Sequence, residues 1–156
     1  MKLVLLTVAT AKEPWSEEAA RLYTQKISHF NSFEILNLKP KKSSREDAQA
    51  KKKAESELIL TSLTKDDVVI VFDERGRSLN SSEFSKKIEN VLSSSKKRAV
   101  FIVGGAYGVS EEVRLRAQEI ISLSPMVMNH LLAQTVVLEQ IYRAFTIIRG
   151  LPYHNS

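Results

Sequence analysis

The stretch VFIVGG at residues 100–105 decides the fold, because an apolar run leads here directly into a glycine-rich loop, GGAYG. A buried strand that delivers glycines at its carboxyl end is typical of the place where an open α/β sheet binds a nucleotide-like ligand. Gly104, Gly105 and Gly108 form the pattern GGxxG, which is neither the dinucleotide fingerprint nor a P-loop. The loop therefore has two interpretations: a ligand site with an accessible main chain, or a tight strand-to-helix turn.

Length and composition indicate one basic globular domain, residues 1–156. Hydrophobic residues make up 43% of the chain, and 23 Lys and Arg against 18 Asp and Glu give a net charge of +5, which favours an anionic partner such as nucleic acid. Cysteine is absent and histidine occurs three times, so disulfides, thiolate zinc sites and a cysteine nucleophile are excluded and we expect no metal. The opening LVLLTVA is too short to span a bilayer and has no cleavage pattern after it. We therefore expect a cytoplasmic protein with no membrane partner.

Apolar runs alternate with helical patterns along the whole chain, which predicts an α/β fold with a mainly parallel sheet and helices on both faces. The polar segment DERGRSLNS, which follows VVIVF, predicts a short turn. The predicted strands are residues 1–9, 33–38, 68–72, 98–103 and 120–123. The predicted helices begin at Ser16, near Arg45, at Ser82, at Ser110 and at His130, and the last ends at Arg149 before Gly150 and Pro152.

Three of these helices have capping signals at their starts. Ser16 is predicted to cap the first helix, Ser44 with Asp47 the second, and Ser110 the fourth. The second helix also carries the run KKK at 51–53, which is either a solvated face or an electrostatic footprint for phosphate.

Two segments near the C-terminus are candidates for binding or chemistry. LSPMVMNH at 123–130 is apolar although it connects a strand to a helix, so it either wraps an adenine ring or a thioether or is a covered core connection. The helix after it is apolar over more than one stripe and needs a second surface, for which a subunit interface is one candidate. Tyr153 and His154 on the polar tail can stack on an unpaired base or position a reacting group, although termini are also the usual place of disorder. No GxSxG or HExxH hydrolase motif occurs.

Taken together, VFIVGGAYG, LSPMVMNH and LEQIYRAFTIIRGLPYH resemble the ribosomal RNA large subunit methyltransferase H family, small members of the SPOUT superfamily. KLVLLTVATAKEPW and VVIVFDERGRSLNSSEF also fit the family pattern, so the match covers almost the whole chain. The resemblance implies a single SPOUT domain with a C-terminal deep trefoil knot, S-adenosyl-L-methionine as cofactor, and a homodimer whose active site spans both subunits. The implied activity is methylation of N3 of a pseudouridine in helix 69 of 23S rRNA, with the assembled ribosome as substrate.

The family's functional residues can be carried over by position. Tyr153, His154 and His130 are implied as catalytic, and Tyr142 and Arg143 as substrate-binding. Main-chain atoms are expected to make much of the cofactor contact. The implied cofactor pocket consists of Phe72, Gly104, Gly105, Leu123, Ser124, Pro125, Met126, Val127 and Met128.

Three positions depart from the family pattern. Gln134 stands where arginine is usual, Asn129 where proline is common, and Asn155 where a basic residue often follows PYH. An expected cationic contact to substrate or dimer partner is therefore missing.

Methyl transfer to an imide nitrogen requires alignment of donor and acceptor and removal of the N3 proton. We expect His154 or His130 to meet this need while Tyr153 orients the base. Two other functions stay open, a non-catalytic RNA- or ribosome-binding protein that retains the SPOUT fold and a flavodoxin-like nucleotide binder. The absence of phosphate-loop residues counts against the second.

Overall fold

A computed structural model describes residues 1–8, 12–40 and 47–155, and within these ranges the chain forms a five-stranded sheet whose strand pairings are all parallel. The strands are β1 (Lys2–Val8), β2 (Phe33–Leu38), β3 (Val68–Ser78), β4 (Arg98–Val103) and β5 (Glu119–Ser122). Their order across the sheet is β2-β1-β4-β3-β5. Continuous apolar runs suit the inner strands β1, β4 and β3, because both faces of these strands are covered.

Five helices cover the two faces: α1 (Pro14–Ser28), α2 (Ala48–Thr61), α3 (Ser81–Leu92), α4 (Glu111–Arg116) and α5 (His130–Ile148). Side chains alternate between the faces of each strand and so divide the core into two clusters. Leu3 and Leu5 belong to the cluster under α1, α3 and α5, whereas Val4 and Leu6 belong to the cluster under α2 and α4. The predicted α/β class with a parallel sheet and helices is confirmed.

The loops that follow β3, β4 and β5 meet at one edge of the sheet. β4 and β5 are consecutive in the chain but lie on opposite sides of β3. In the ladders, Phe72 of β3 aligns with Val103 of β4 and with Ile121 of β5, so the three strands deliver their next residues to one place. Open α/β sheets bind ligands at such carboxyl ends.

β3 is longer than predicted. The prediction ended this strand at residue 72, whereas the strand continues to Ser78, and Phe72 and Arg77 both align with Ile121. The polar residues between them leave the ladder as a bulge, and the strand then pairs again. The prediction that a turn ends the strand at residue 72 is therefore wrong. Gly76 permits this close approach, because a Cβ there would lie 2.6 Å from the carbonyl carbon of Ile120.

The predicted cap of α1 is wrong. Glu13 occupies the N-cap position and Pro14 begins the helix, while the Ser16 hydroxyl donates to the Glu13 carbonyl at 2.9 Å. Proline suits the first helical position because its missing N–H would have no partner there.

The other two predicted caps have different outcomes. Asp47 caps α2 by accepting from the Ala50 N–H at 2.7 Å, while Ser44 and the predicted start near Arg45 lie outside the described residues. Ser110 caps α4 as predicted and accepts from the Val113 N–H.

α5 is confirmed within one residue and lies between α1 and α3. Asn129 caps its start, and Gly150 after its end adopts a left-handed φ of 66°. By length and composition alone α5 could cross a membrane. However, Val137, Ile141 and Phe145 are buried against the sheet, and we attribute the apolar character of the helix to this packing.

Candidate active site

A cavity of about 290 Å³ lies at the carboxyl ends of β3, β4 and β5. Four chain segments form its walls: the end of β3 with its bulge, the end of β4 with its glycine loop, the loop from β5 to α5, and the first turn of α5. The lining residues are Phe72, Asp73, Glu74, Val103, Gly104, Gly105, Ala106, Tyr107, Gly108, Leu123, Ser124, Met126, Val127, Met128, His130 and Ala133.

The glycine loop has its own packing reason for glycine. The Gly108 N–H donates to the Gly105 carbonyl at 3.1 Å, and Gly108 has a left-handed φ of 78°. A Cβ on Gly104 would lie 2.8 Å from a methyl carbon of Val109. The loop is therefore a tight turn, as the second interpretation of GGxxG predicts, and it also lines the cavity; ligand binding at this loop stays a prediction.

The loop from β5 to α5 is not a covered core connection. The Met126 N–H donates to the Ser124 hydroxyl at 2.9 Å, and the Ser122 hydroxyl donates to the Ser124 carbonyl at 3.1 Å, which fix the turn. The side chains of Met126 and Val127 are 78% and 85% exposed at the rim. Apolar side chains held in this way at the mouth of a cavity are available to a ligand or a partner surface.

Most of the predicted cofactor residues lie around this cavity. Pro125 is the one member of the predicted set that does not line it. The sequence patterns missed the two carboxylates of the β3 bulge, Asp73 and Glu74. Their signal was the acidic pair directly after the apolar run VVIVF, at a strand end where ligands bind.

The two carboxylates have different surroundings. Asp73 is largely buried, accepts from the Arg75 N–H at 2.9 Å and lies 3.8 Å from a guanidinium nitrogen of Arg114. Glu74 is exposed at the mouth. The cavity thus combines apolar walls with negative charge at one side, which suits a cationic ligand that carries hydroxyl groups.

The predicted tail residues form a second cluster on α5. Glu139 accepts hydrogen bonds from Arg143 at 2.6 Å and from the Tyr153 hydroxyl at 3.1 Å. The Arg143 guanidinium lies 4.8 Å from the centre of the Tyr153 ring, and the Tyr142 ring meets the Tyr153 ring edge to face at 4.9 Å. These contacts hold the tail against its own helix.

Two electrostatic consequences follow within the tail cluster. Burial, and then the neighbouring Glu139 carboxylate, raise the pKa of Tyr153 to about 12, so this phenol stays protonated at neutral pH. A guanidinium nitrogen of Arg143 lies 3.1 Å from Nδ1 of His154, and arginine can only donate. Nδ1 is therefore the acceptor, which puts the proton of a neutral imidazole on Nε2.

One protomer does not bring the predicted catalytic residues together. His130 lines the cavity, whereas Tyr153, His154, Arg143 and Tyr142 do not. Arg143 also has its charge balanced by Glu139 within the chain. A single copy therefore offers a pocket and a separate tail cluster.

Almost the whole chain matches one family. A family model described as a predicted SPOUT methyltransferase matches residues 1–154. The chain belongs to the SPOUT methyltransferase family. The resemblance to the ribosomal RNA large subunit methyltransferase H family is also confirmed, because three relatives carry that name.

These relatives match this chain over nearly its whole length. The protein from Bdellovibrio bacteriovorus is 63% identical over 155 residues, which cover 99% of both chains. Proteins of the same name from Syntrophotalea carbinolica and Bacteroides fragilis are 37% identical over 155 residues and 40% identical over 159 residues. They match 99% and 100% of both chains, respectively.

A solved structure shares the fold. The structure of a probable methylase family protein from Haemophilus influenzae Rd KW20 superposes with a TM-score of 0.57 at 17% identity. The superposition covers 99% of this SPOUT chain and 70% of the other chain.

Proposed function

We propose that this protein is an S-adenosylmethionine-dependent methyltransferase that methylates N3 of a pseudouridine in helix 69 of 23S rRNA in the assembled ribosome. The observation that carries the proposal is the cavity at the ends of β3, β4 and β5, in a chain with full-length relatives named for ribosomal RNA methylation. A net charge of +5 agrees with an RNA substrate.

The residues around the cavity fit the proposed cofactor. Phe72, Leu123 and Met128 offer apolar walls for an adenine ring, and the main chain of the glycine loop offers hydrogen-bonding groups close to the ligand. Asp73 and Glu74 supply negative charge for a sulfonium and acceptors for ribose hydroxyls. When bound, S-adenosylmethionine supplies an electrophilic methyl group, and the chemistry needs no metal.

The chain's own groups must handle the N3 proton and the charge that develops on the base. His130 at the cavity has ring nitrogens that can take a proton. His154 has its Nδ1 occupied by Arg143, so its free Nε2–H is suited to donate to a developing oxyanion. Tyr153, which stays protonated at neutral pH, orients the pseudouridine base.

Single-turnover rates test these two roles. We expect His130→Ala and His154→Ala each to slow methyl transfer by roughly 10²-fold or more, as is usual when an acid-base group is lost. Wild-type rates in both variants would remove both histidines from the chemistry.

We further propose that the chain acts as a single SPOUT domain, residues 1–156, with a knotted C-terminal part, and that it forms a cytoplasmic homodimer. Family membership supports the knot and the domain. The separation of His130 from the tail cluster supports the dimer, because a partner's tail can then complete the site that one copy leaves open.

Methyl transfer to ribosomes tests the function. Ribosomes from a strain that lacks this modification should accept radiolabelled methyl from S-adenosylmethionine, and the label should map to one pseudouridine of helix 69. Cofactor binding and ribosome binding without incorporation would support the non-catalytic alternative instead.

A further inference from the structure

A carboxylate that is not part of the cavity contacts the glycine loop. A Cβ built on Gly105 would lie 2.6 Å from Oε2 and 3.0 Å from Oε1 of Glu55, a residue of α2. The same position would lie 3.0 Å from the Val8 carbonyl at the end of β1. Glu55 does not line the cavity, so its contact with the loop is made outside the cavity.

Glu55 is an unusual residue to be placed there. Its Oε2 is shielded from solvent and has no hydrogen-bond partner among the residues that the structure describes. Burial raises the pKa of Glu55, and the Gly105 N–H and the Lys51 ammonium only partly offset the rise. A carboxylate in such surroundings costs stability, which functional sites often tolerate.

The next residue of α2 holds the other end of the same loop. The Ser56 hydroxyl is buried and accepts from the Ser110 N–H at 3.3 Å, at the start of α4. Adjacent residues of one helix therefore contact both ends of the segment from Gly104 to Ser110. These two contacts of α2 hold the loop that lines the cavity.

We propose that Glu55 is a positioning residue, whose carboxylate packs against the Gly105 main chain and thereby fixes the glycine loop for cofactor binding. The proposal rests on the assignment of the cavity to S-adenosylmethionine. A carboxylate attracts the dipoles of neighbouring backbone N–H groups more strongly than a neutral amide does. Removal of the charge at Glu55 is therefore expected to loosen the loop while it relieves the cost of burial.

The test compares Glu55→Gln, Glu55→Ala and Glu57→Gln, with S-adenosylhomocysteine as the probe in calorimetry. Glu57 is exposed on the same helix and is the matched control. We expect Kd to rise about fivefold for Glu55→Gln, the ratio for a loss of about 1 kcal/mol, and tenfold or more for Glu55→Ala. Glu57→Gln should leave Kd unchanged.

Stability at several pH values separates positioning from simple damage. Because the pKa of Glu55 is raised above 4.5, the wild type has its full stability from this group below pH 4.5 and loses it as pH rises through the raised pKa. The Tm difference, Glu55→Gln minus wild type, should therefore increase from pH 4.5 to pH 8. Lys51 is the charged side chain that acts on Glu55, and the contacts from β1 and the loop are backbone atoms. The Arg114 guanidinium of α4 donates to the Val109 carbonyl and lies near the Asp73 carboxylate.

The outcomes are distinct. Weaker binding by Glu55→Gln with an unchanged or raised Tm at pH 8 supports the positioning role. Unchanged Kd in both Glu55 variants, or a loss of affinity matched by a lowered Tm, overturns it. If the wild type itself does not bind the probe, it is the proposed function that fails.

Discussion

At the scale of the residue, Glu139 is the centre of the tail cluster. Its carboxylate accepts from both Arg143 and Tyr153, and it lies one helical turn before Arg143 on α5. The ring contacts of Tyr153 and the hydrogen bond between Arg143 and His154 also hold the tail on the helix surface. Glu139 therefore adds a charged acceptor to contacts that already hold the tail.

The titration of Tyr153 tests this contact. Its folded pKa of about 12 lies above the ordinary value of 10.0, so its contribution to stability is present below pH 10 and is lost as pH rises through 12. We expect Glu139→Gln to lower this pKa without restoring 10.0, because burial is the larger cause. Ultraviolet absorbance of tyrosinate, with Tyr153→Phe to assign the signal, measures the change. An unaltered titration in Glu139→Gln would contradict the contact.

Sequence reasoning named the tail residues but not their partner. The resemblance gave Tyr153, His154 and Arg143 by position, yet Glu139 belongs to a helix pattern in which a charged residue is usually only solvated. Which carboxylate the tail meets depends on the left-handed turn at Gly150, and no local pattern specifies the direction of the chain beyond it. Glu55 was missed for the same reason, because its neighbour Gly105 is remote in sequence.

At the scale of the element, the bulge in β3 positions the acidic side of the cavity. The predicted strands β2 and β4 agree with the structure, because their apolar runs end where the ladder ends. β3 does not follow this rule, since its second half is polar and is held by pairing with β5. Pairing between distant segments has no signature in a local hydrophobic pattern.

The variant Gly76→Ala tests the importance of the bulge. An added methyl would lie 2.6 Å from the Ile120 carbonyl carbon, and backbone atoms cannot move aside as a flexible side chain does. We expect a loss of about 1–3 kcal/mol in the free energy of unfolding, typical of overpacking. Urea unfolding measures it, with Ser78→Ala, an exposed position of the same strand, as the control. Equal free energies of unfolding for both variants would mean that β3 and β5 can move apart at Gly76 without loss of stability.

At the scale of the whole molecule, the proposed homodimer combines one protomer's cavity with another protomer's tail. The relevant observation is the separation of His130 at the cavity from His154 beside Arg143. The proposed assembly of one site from two copies accounts for a cavity and a tail cluster that lie in different places on one chain.

Mixing two inactive variants tests this division. Ala133→Phe fills the cavity from α5, and a chain that ends at Pro152 lacks the tail, so each homodimer should be inactive. A mixed dimer contains one site with an open cavity and an intact tail. After random exchange of subunits, methyl transfer should recover to roughly one quarter of wild type. No recovery despite proven exchange would place both parts of the site on one chain.

The central claim is that the ends of β3, β4 and β5 form a cofactor site, and calorimetry with S-adenosylhomocysteine tests it most directly. We predict binding by the wild type and its loss in Ala133→Phe, because the added ring occupies the cavity that Ala133 lines. Absence of binding by correctly folded wild type, or equal binding by Ala133→Phe, would contradict the account.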